Sequence, residues 1–243
     1  VTWDQEMKGD LFNKVNGIQL YKNLNSDSIK REIEESLKRM GTDYVDVYMT
    51  HWQSIEGSEY YVPIQKTMEV LNDLKAQGKI KAIGAANVDI KQIQEYLKHG
   101  ELDIVQAKYS ILDRGIEDEI IPCCRENGVT IQAYSPLEMG LLSGTMPRDY
   151  KPVGAQIPKK WFQPDNMQKA MDVMDQWKPL CEKYNCTIAN LALAWILAQG
   201  EFINLLSGST TVDQIKENVK STELELDPAD VAMMRDMVEE IDK

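Results

Sequence analysis

Long apolar stretches and a surplus of positive charge are both missing from this chain of 243 residues. Its longest apolar stretch, residues 191–198, is far shorter than the ~20 residues that cross a bilayer, so no membrane span is expected. Lys and Arg number 27 against 39 Asp and Glu, a formal net charge of −12. Such a charge repels phosphate backbones, and we therefore expect no nucleic-acid partner.

Cysteine is also scarce, with four residues in the whole chain. That number is too small for a disulfide framework, which favours a reducing, cytoplasmic location. Cys123 and Cys124 are neighbours on a predicted helix, and Cys181 and Cys186 have no paired histidine, so we predict no metal site. The chain begins Val1-Thr2-Trp3-Asp4 without an initiator Met, and it reads as a segment entered midway.

The remaining sequence alternates between short β-rich runs and amphipathic helical patterns, which predicts an α/β fold with a parallel sheet. No linker with a change of composition divides the chain, so residues 1–243 are predicted to form a single domain. The pattern alone leaves open whether the sheet is doubly wound or closed into a barrel. Between residues 135 and 164 there is no periodicity, as is typical of a functional or mobile loop. The predicted strands are residues 44–50, 79–86, 104–109, 129–134 and 202–207. The predicted helices include a first one with Ser26 as its N-terminal cap and Gly41 as its C-terminal stop, and residues 116–126, 166–184 and 228–241.

Polar residues fall at or near the carboxyl ends of these strands, where α/β proteins place their active sites. His51 follows the first predicted strand, and its ordinary pKa near 6.5 suits a proton donor or an oxyanion partner. Asn87 follows the second strand, Gln106 lies in the third and Tyr134 closes the fourth. Taken singly, each of these residues has a structural alternative: a bonded loop histidine, a helix cap, a satisfied strand residue or a core tyrosine.

The last predicted strand leads directly into Gly208-Ser209-Thr210-Thr211 and a helix. Backbone N–H groups at a helix N-terminus and nearby hydroxyls can bind a phosphate without Lys or Arg. An ordinary Ser or Thr helix cap is the alternative interpretation.

Taken together and in order, these motifs resemble the aldo-keto reductase family over nearly the whole chain. The approach to His51-Trp52 resembles that family's approach to its catalytic histidine. Three further segments match its amide-holding strands, its stacking strand and its adenosine-phosphate segment. The residues that carry the resemblance are Ser36 to Asp46, Lys79 to Gly84 with Asn87 and Gln106, Tyr134 to Leu137 with Gly140, Leu142 and Gly144, and Gly208 to Asn218.

The resemblance implies a (β/α)₈ TIM barrel that transfers hydride from a nicotinamide cofactor to a carbonyl. In such a site His51 would polarise the substrate oxygen, Tyr134 would stack on the nicotinamide, and Asn87 and Gln106 would bind its carboxamide. The family's catalytic Asp, Tyr and Lys have no matching positions here. We therefore expect the barrel to be incomplete, lacking its first strands, and this chain alone to be nearly inactive.

The resemblance also implies residues for cofactor and substrate. NADH is the expected cofactor, with NADPH possible, because Gly208 and Gln214 stand where many NADPH-using members have Lys and Arg. Trp52, Gln53 and the loop of residues 141–161 are expected to shape a pocket for small aldehydes or 2-oxoaldehydes. The other expected cofactor-binding residues are Ser135, Leu137, Gly140, Ser209, Thr210, Glu217 and Asn218.

Two alternatives to a reductase remain. One is a non-catalytic, nucleotide-sensing binding protein on the same fold. The other is an unrelated α/β barrel whose Gly208–Thr211 turn binds a phosphorylated substrate. The sequence carries no signal for the oligomeric state.

Overall fold

A computed structural model describes Thr2 and residues 5–242; Val1, Trp3, Asp4 and Lys243, and with them most of the unusual opening segment, lie outside the described residues. The chain divides into two compact units. Unit 1 consists of Val1–Ala107 and Glu119–Ile131, and unit 2 consists of Lys108–Asp118 and Gln132–Lys243. Each unit is described by itself.

Unit 1 begins with an antiparallel hairpin that the strand predictions did not include. Strands β1 (Asp10–Val15) and β2 (Ile18–Lys22) are joined by Asn16 and Gly17. Both turn residues have positive φ, +50° and +83°, which is the backbone that a two-residue hairpin turn requires. The Asn-Gly pair was a readable signal for this hairpin.

Three parallel strands of unit 1 agree with the prediction: β3 (Val45–Thr50), β4 (Ile80–Ala86) and β5 (Ile104–Lys108, of which Lys108 belongs to unit 2). The start of β6 (Thr130–Tyr134) adjoins β5, where the Thr130 N–H donates to the Asp103 carbonyl at 2.9 Å. The strands are thus neighbours in chain order, as right-handed βαβ connections produce.

Amphipathic helices connect these strands. Helix α1 (Ser26–Met40) buries Ile29, Ile33 and Leu37 at helical spacing and ends at Gly41 in the left-handed conformation, as predicted. Its N-cap is Asn25 instead of Ser26, because the Asn25 side chain accepts from the Ser28 N–H. The other helices are α2 (Ile64–Ala76), α3 (Ile90–His99) and α4 (Ile120–Glu126), the last starting four residues later than predicted.

Unit 2 contains the end of β6, strand β7 (Ile203–Leu206) and most of the remaining helices. The single helix predicted over residues 166–184 is wrong. It consists of two helices that break at the fully buried Trp177, because Pro179 has no N–H to continue the hydrogen-bond ladder. The helices are α5 (Pro164–Gln176), α6 (Lys178–Tyr184), α7 (Ile188–Leu197), α8 (Val212–Val219) and α9 (Pro228–Ile241).

The segment between β6 and α5 contains only short 3₁₀ turns, at Glu138–Ser143, Gly154–Gln156 and Lys160–Phe162. The absence of regular periodicity there is therefore confirmed. Trp161 and Phe162 are buried, and the Trp161 indole donates to the Leu112 carbonyl at 2.8 Å, which anchors the end of this loop. Among the described helices, none has the combined length and apolarity needed to traverse a bilayer.

Candidate active site

His51 lies directly after β3 in unit 1, where the sequence placed it. Its side chain is exposed, and its ring lies 5.8 Å from the ring of Trp52. Partial burial disfavours the charged imidazolium and lowers the pKa of His51. The neutral imidazole is therefore the main form at neutral pH.

Thr50 and Gln53, which lie next to His51 in the sequence, belong to a buried polar network. The Tyr96 hydroxyl donates to Gln53 Oε1 at 2.6 Å and lies 2.9 Å from Thr50 Oγ1, while Gln53 Nε2 donates to Thr50 Oγ1 at 3.2 Å. Tyr96 is fully buried, and its burial raises the pKa of the phenol to about 12. Gln53 is also buried, so its amide holds the strand ends together and does not face an open pocket, in contrast to the role expected for it.

The structure brings Asn87 and Gln106 to the same edge of the unit 1 sheet as His51. Asn87 has a φ of +53°, a conformation that Asn tolerates better than most residues. Its side-chain Nδ2 donates to the His51 carbonyl at 2.9 Å, and its backbone N–H points to the Gln106 carbonyl at 3.4 Å. Three of the expected site residues are therefore neighbours within one unit.

Trp52 is covered by the hairpin that the sequence analysis missed. The Phe12 ring lies 5.8 Å from the Trp52 ring, and Lys22 Nζ lies 4.5 Å from the ring centre. A cation over an indole face is attracted by the quadrupole of the ring. Phe12 and Lys22 are thus two further candidates for the surroundings of His51 and Trp52.

Unit 2 contains a cavity of about 870 Å³. This volume falls within the ~300–1,000 Å³ that is typical of small-molecule and cofactor sites. All ten cofactor-binding residues that the sequence analysis assigned to this part of the chain line it, although they come from two distant segments. They are Tyr134, Ser135, Leu137, Gly140, Gly208, Ser209, Thr210, Gln214, Glu217 and Asn218.

One wall of this cavity is the start of α8. Thr211 caps the helix by accepting from the Gln214 N–H, and Gln214 Oε1 accepts from the Thr210 N–H at 2.8 Å. Asn218 Nδ2 donates to the hydroxyls of Ser207 at 2.8 Å and Ser209 at 3.1 Å. Hydroxyl and helix N–H groups that converge in this way are suited to bind a phosphate diester that carries no additional phosphate group.

Another part of the cavity lining comes from a turn with unusual backbone angles. Glu138, Met139 and Gly140 have φ values of +45°, +52° and +96°. The carboxylate of Glu138 is buried and is held by the Ser110 hydroxyl at 2.7 Å and by Lys108 Nζ at 3.0 Å. These bonds compensate the cost of burying the charge and keep the turn in place.

The turn ends at Gly144, where only glycine fits. Its φ is +73°, and a Cβ built there would lie 2.9 Å from the Cβ of Ile188. The close approach brings the Gly144 backbone against the start of α7, which also lines the cavity. The residues on this side of the cavity were not among the predicted cofactor-binding residues. The Thr187-x-x-Asn190 capping box was a local sequence signal for the start of α7. The additional lining residues there and at the end of β7 are Thr187, Ile188, Ala189, Leu206 and Ser207.

Among its described lining residues, the cavity has a negative charge but no positive one. Among the described residues that line it there is no Lys, Arg or His, whereas Glu217 is present. A hydrogen bond from Lys220 lowers the pKa of Glu217, so the carboxylate is ionised at neutral pH. The cavity therefore offers neutral donors to a ligand and no cationic partner for an extra phosphate. Within the described residues, no cluster of His, Cys, Asp and Glu is arranged to hold a metal ion.

Comparisons with known proteins point to one family. The model of the aldo/keto reductase family matches residues 11–239. A NADH-specific methylglyoxal reductase of Escherichia coli is 55% identical over 243 residues, which is 100% of this chain and 73% of that protein. The aldo-keto reductase YhdN of Bacillus subtilis is 34% identical over 186 residues, 74% of this chain and 54% of that protein.

Solved structures show the same fold. The glycerol dehydrogenase of Gluconobacter oxydans superposes with a TM-score of 0.84 at 24% identity, covering 94% of this chain and 69% of that one. An aldo/keto reductase of Klebsiella pneumoniae, solved in complex with NADP and acetate, has a TM-score of 0.69 at 21% identity, over 90% and 68% of the two chains.

The chain belongs to the aldo/keto reductase family. The expected fold class, α/β with the parallel strands of a TIM barrel, is thereby confirmed, and so is the expectation of an NAD(P)H-dependent oxidoreductase that acts on aldehydes. The residue roles within the site remain predictions.

Proposed function

We propose that this protein reduces small aldehydes and 2-oxoaldehydes, with methylglyoxal as a representative, and that it uses NADH in preference to NADPH. The observation that carries the cofactor proposal is the unit 2 cavity, whose described lining has hydroxyls, amides and one carboxylate but no cation. The similar Escherichia coli protein is named as a NADH-specific methylglyoxal reductase, which supports the same combination.

The cavity fits the dinucleotide in three respects. Its volume of about 870 Å³ suits a cofactor-sized ligand. The N–H groups at the start of α8, with the hydroxyls of Ser209 and Thr210, would bind the pyrophosphate. Tyr134, at the end of β6, is half-buried and lines the cavity, where its ring would stack on a planar nicotinamide.

For the reaction itself, the family resemblance assigns residues of unit 1. When bound, NADH supplies the hydride. By that resemblance, Asn87 and Gln106 would hold a carboxamide group, and His51 would donate a hydrogen bond to a carbonyl oxygen on which negative charge develops. The half-buried indole of Trp52, next to His51, would contact a small aldehyde.

The preference for NADH follows from charge. NADPH differs by a 2′-phosphate, and charge-assisted hydrogen bonds from Lys or Arg to such a group contribute roughly 1.5–3 kcal/mol each. Gly208 and Gln214 supply no such bond, and the ionised Glu217 repels the phosphate. The 2′-hydroxyl of NADH, in contrast, is neutral and can donate to a carboxylate.

A parallel fluorescence titration of the 243-residue chain with NADH and NADPH tests the cofactor proposal. We expect saturable binding with a Kd for NADH at least about tenfold lower, the equivalent of one missing charged contact. A lower Kd for NADPH would overturn the cofactor preference, and no binding of either would overturn the site. Loss of reduced-nicotinamide absorbance with methylglyoxal tests the reaction in a longer chain that also carries the family's catalytic Asp, Tyr and Lys; there, binding without turnover would favour the nucleotide sensor.

A cytoplasmic location is part of the same proposal. The four cysteines are free thiols in the structure, as is usual for proteins of a reducing compartment.

A further inference from the structure

Helix α6 ends in a motif that places two cysteines together. Asn185 adopts the left-handed conformation, with φ +48° and ψ +52°, and the Cys186 N–H donates to the Cys181 carbonyl at 3.0 Å. This is the six-residue ring of a Schellman motif, in which the side chains of its first and last residues meet. Here the residues that meet are Cys181 and Cys186.

Both thiols of this motif are accessible as well as adjacent. The side chains of Cys181 and Cys186 are half-buried, so small reagents can reach them. Burial raises the pKa of both thiols, that of Cys186 to about 11. The pair is therefore protonated at neutral pH and reacts faster as the pH rises.

This cysteine pair adjoins the wall of the unit 2 cavity. Cys186 precedes Thr187, which caps α7 and donates from Oγ1 to Glu217 at 3.2 Å. Asn190, fully buried, donates to the Glu217 carbonyl at 2.7 Å. Thr187 and Glu217 both line the cavity, so a shift of Cys186 acts on its lining through one peptide bond.

We propose that Cys181 and Cys186 are an oxidisable dithiol, and that their disulfide weakens binding of the dinucleotide in the unit 2 cavity. The oxidant is a small-molecule disulfide such as oxidised glutathione. The Cys181 thiolate attacks it and releases one thiol; the Cys186 thiolate then attacks the mixed disulfide and releases the second. One disulfide is thus reduced to two thiols while two cysteine thiols are oxidised to one disulfide. The bond draws Cys186 towards α6 and moves Thr187 away from Glu217.

Thiol counting tests the modification without any cofactor. The chain is incubated with oxidised glutathione, denatured, alkylated and analysed by peptide mass spectrometry. We expect the loss of two thiols, located between Cys181 and Cys186, at a rate that rises with pH. The C181S and C186S variants should each stop at a mixed disulfide. The matched control is C123S, which removes one of the two neighbouring cysteines Cys123 and Cys124. This variant should lose the same two thiols at Cys181 and Cys186. Four free thiols, or a stable mixed disulfide in the parent chain, would overturn the proposal.

The coupling to the cavity rests on the proposed function and has its own readout. NADH is titrated into the reduced and the oxidised chain, and we expect a several-fold higher Kd after oxidation that reverses with a reducing agent. By linkage, saturating NADH should disfavour the disulfide by the same factor. Equal Kd values for the two forms would overturn the coupling. Failure of the reduced chain to bind NADH would instead count against the proposed function, and the thiol result would stand independently.

Discussion

The polar residues around His51 in unit 1 are held by buried hydrogen bonds, whereas those of the unit 2 cavity lie largely on an exposed helix. Tyr96, Thr50 and Gln53 form a closed network with the strand ends, and Tyr96 and Gln53 are both buried. Helix α8, in contrast, has no buried residue among those described and is fixed by its Thr211 cap and by side-chain bonds.

This difference matches the demands of the two sets of groups. A group that stabilises charge on a reacting atom must be held within a fraction of an ångström, and a buried network achieves this. Groups that bind a long, flexible nucleotide need only point towards the same ligand, and a helix on the surface can adjust its position to that ligand. The five predictions that follow probe this contrast.

The largest effect is expected where the cavity of unit 2 is rigid. Gly144→Ala places a Cβ 2.9 Å from Ile188 at a φ of +73°. The left-handed backbone and the overlap together should lower the free energy of unfolding by about 2–4 kcal/mol and weaken NADH binding. Urea denaturation measures the first effect and titration the second. Gly208→Ala is the matched control, since a Cβ there meets nothing within 4 Å; equal losses in both variants would contradict the assignment.

In unit 1 the network itself can be broken at Tyr96. Tyr96→Phe leaves Gln53 Oε1 as an unsatisfied buried oxygen and removes the hydroxyl that contacts Thr50, and we expect a loss of about 1–3 kcal/mol in urea denaturation. Tyr60→Phe, at an exposed position, should be neutral.

Tyr96 also gives the protein a defined pH dependence. Its folded pKa of about 12 lies above the ordinary value near 10, so its contribution to stability is complete below pH ~10 and is lost as the pH rises through ~12. The fall in unfolding free energy over this interval should be smaller in Tyr96→Phe than in the parent chain. Parallel curves for the two proteins would show that the phenol is not protected by burial.

The next effect in size concerns the cofactor preference of unit 2, which a single substitution should shift towards NADPH. Gly208→Arg introduces a cation into open space on the cavity wall, and one charge-assisted bond to a 2′-phosphate should lower the Kd for NADPH by about tenfold. The Kd for NADH should change little. Gly208→Gln, of similar length but uncharged, is the control. A gain for NADPH in both variants would assign the effect to contact area instead of charge.

The smallest effect is expected at Asn87. Asn87→Gly removes the side chain without strain, because the φ of +53° suits glycine, whereas alanine would add a backbone penalty. Loss of a hydrogen bond to the carboxamide should raise the Kd for NADH about three- to tenfold. Titration of Asn87→Gly beside Asn87→Ala separates the side-chain contribution from the backbone one. An unchanged Kd in the glycine variant would exclude Asn87 from cofactor binding.

Local signals in the chain were sufficient for much of this description. The five parallel strands follow from their β-rich runs, and the ends of α1 and α9 follow from Gly41 and Pro228, because propensity and capping are short-range effects. The ordered motifs gave the family and the ten residues that line the unit 2 cavity. The hairpin around Asn16 and Gly17 carried a short-range signal as well, but it was not used.

Long-range packing decided the rest. The break between α5 and α6 had a local signal in Pro179, but the burial of Trp177 at that break depends on contacts between segments. The role of Gln53 depends on Tyr96, which lies 43 residues away in the sequence. The approach of Gly144 to Ile188 and the meeting of Thr187 with Glu217 likewise join distant parts of unit 2. The sequence by itself determined which residue types stand at the ends of strands and helices. Only the tertiary structure decided which of them are buried, bonded or open to a ligand, since these properties belong to contacts between segments.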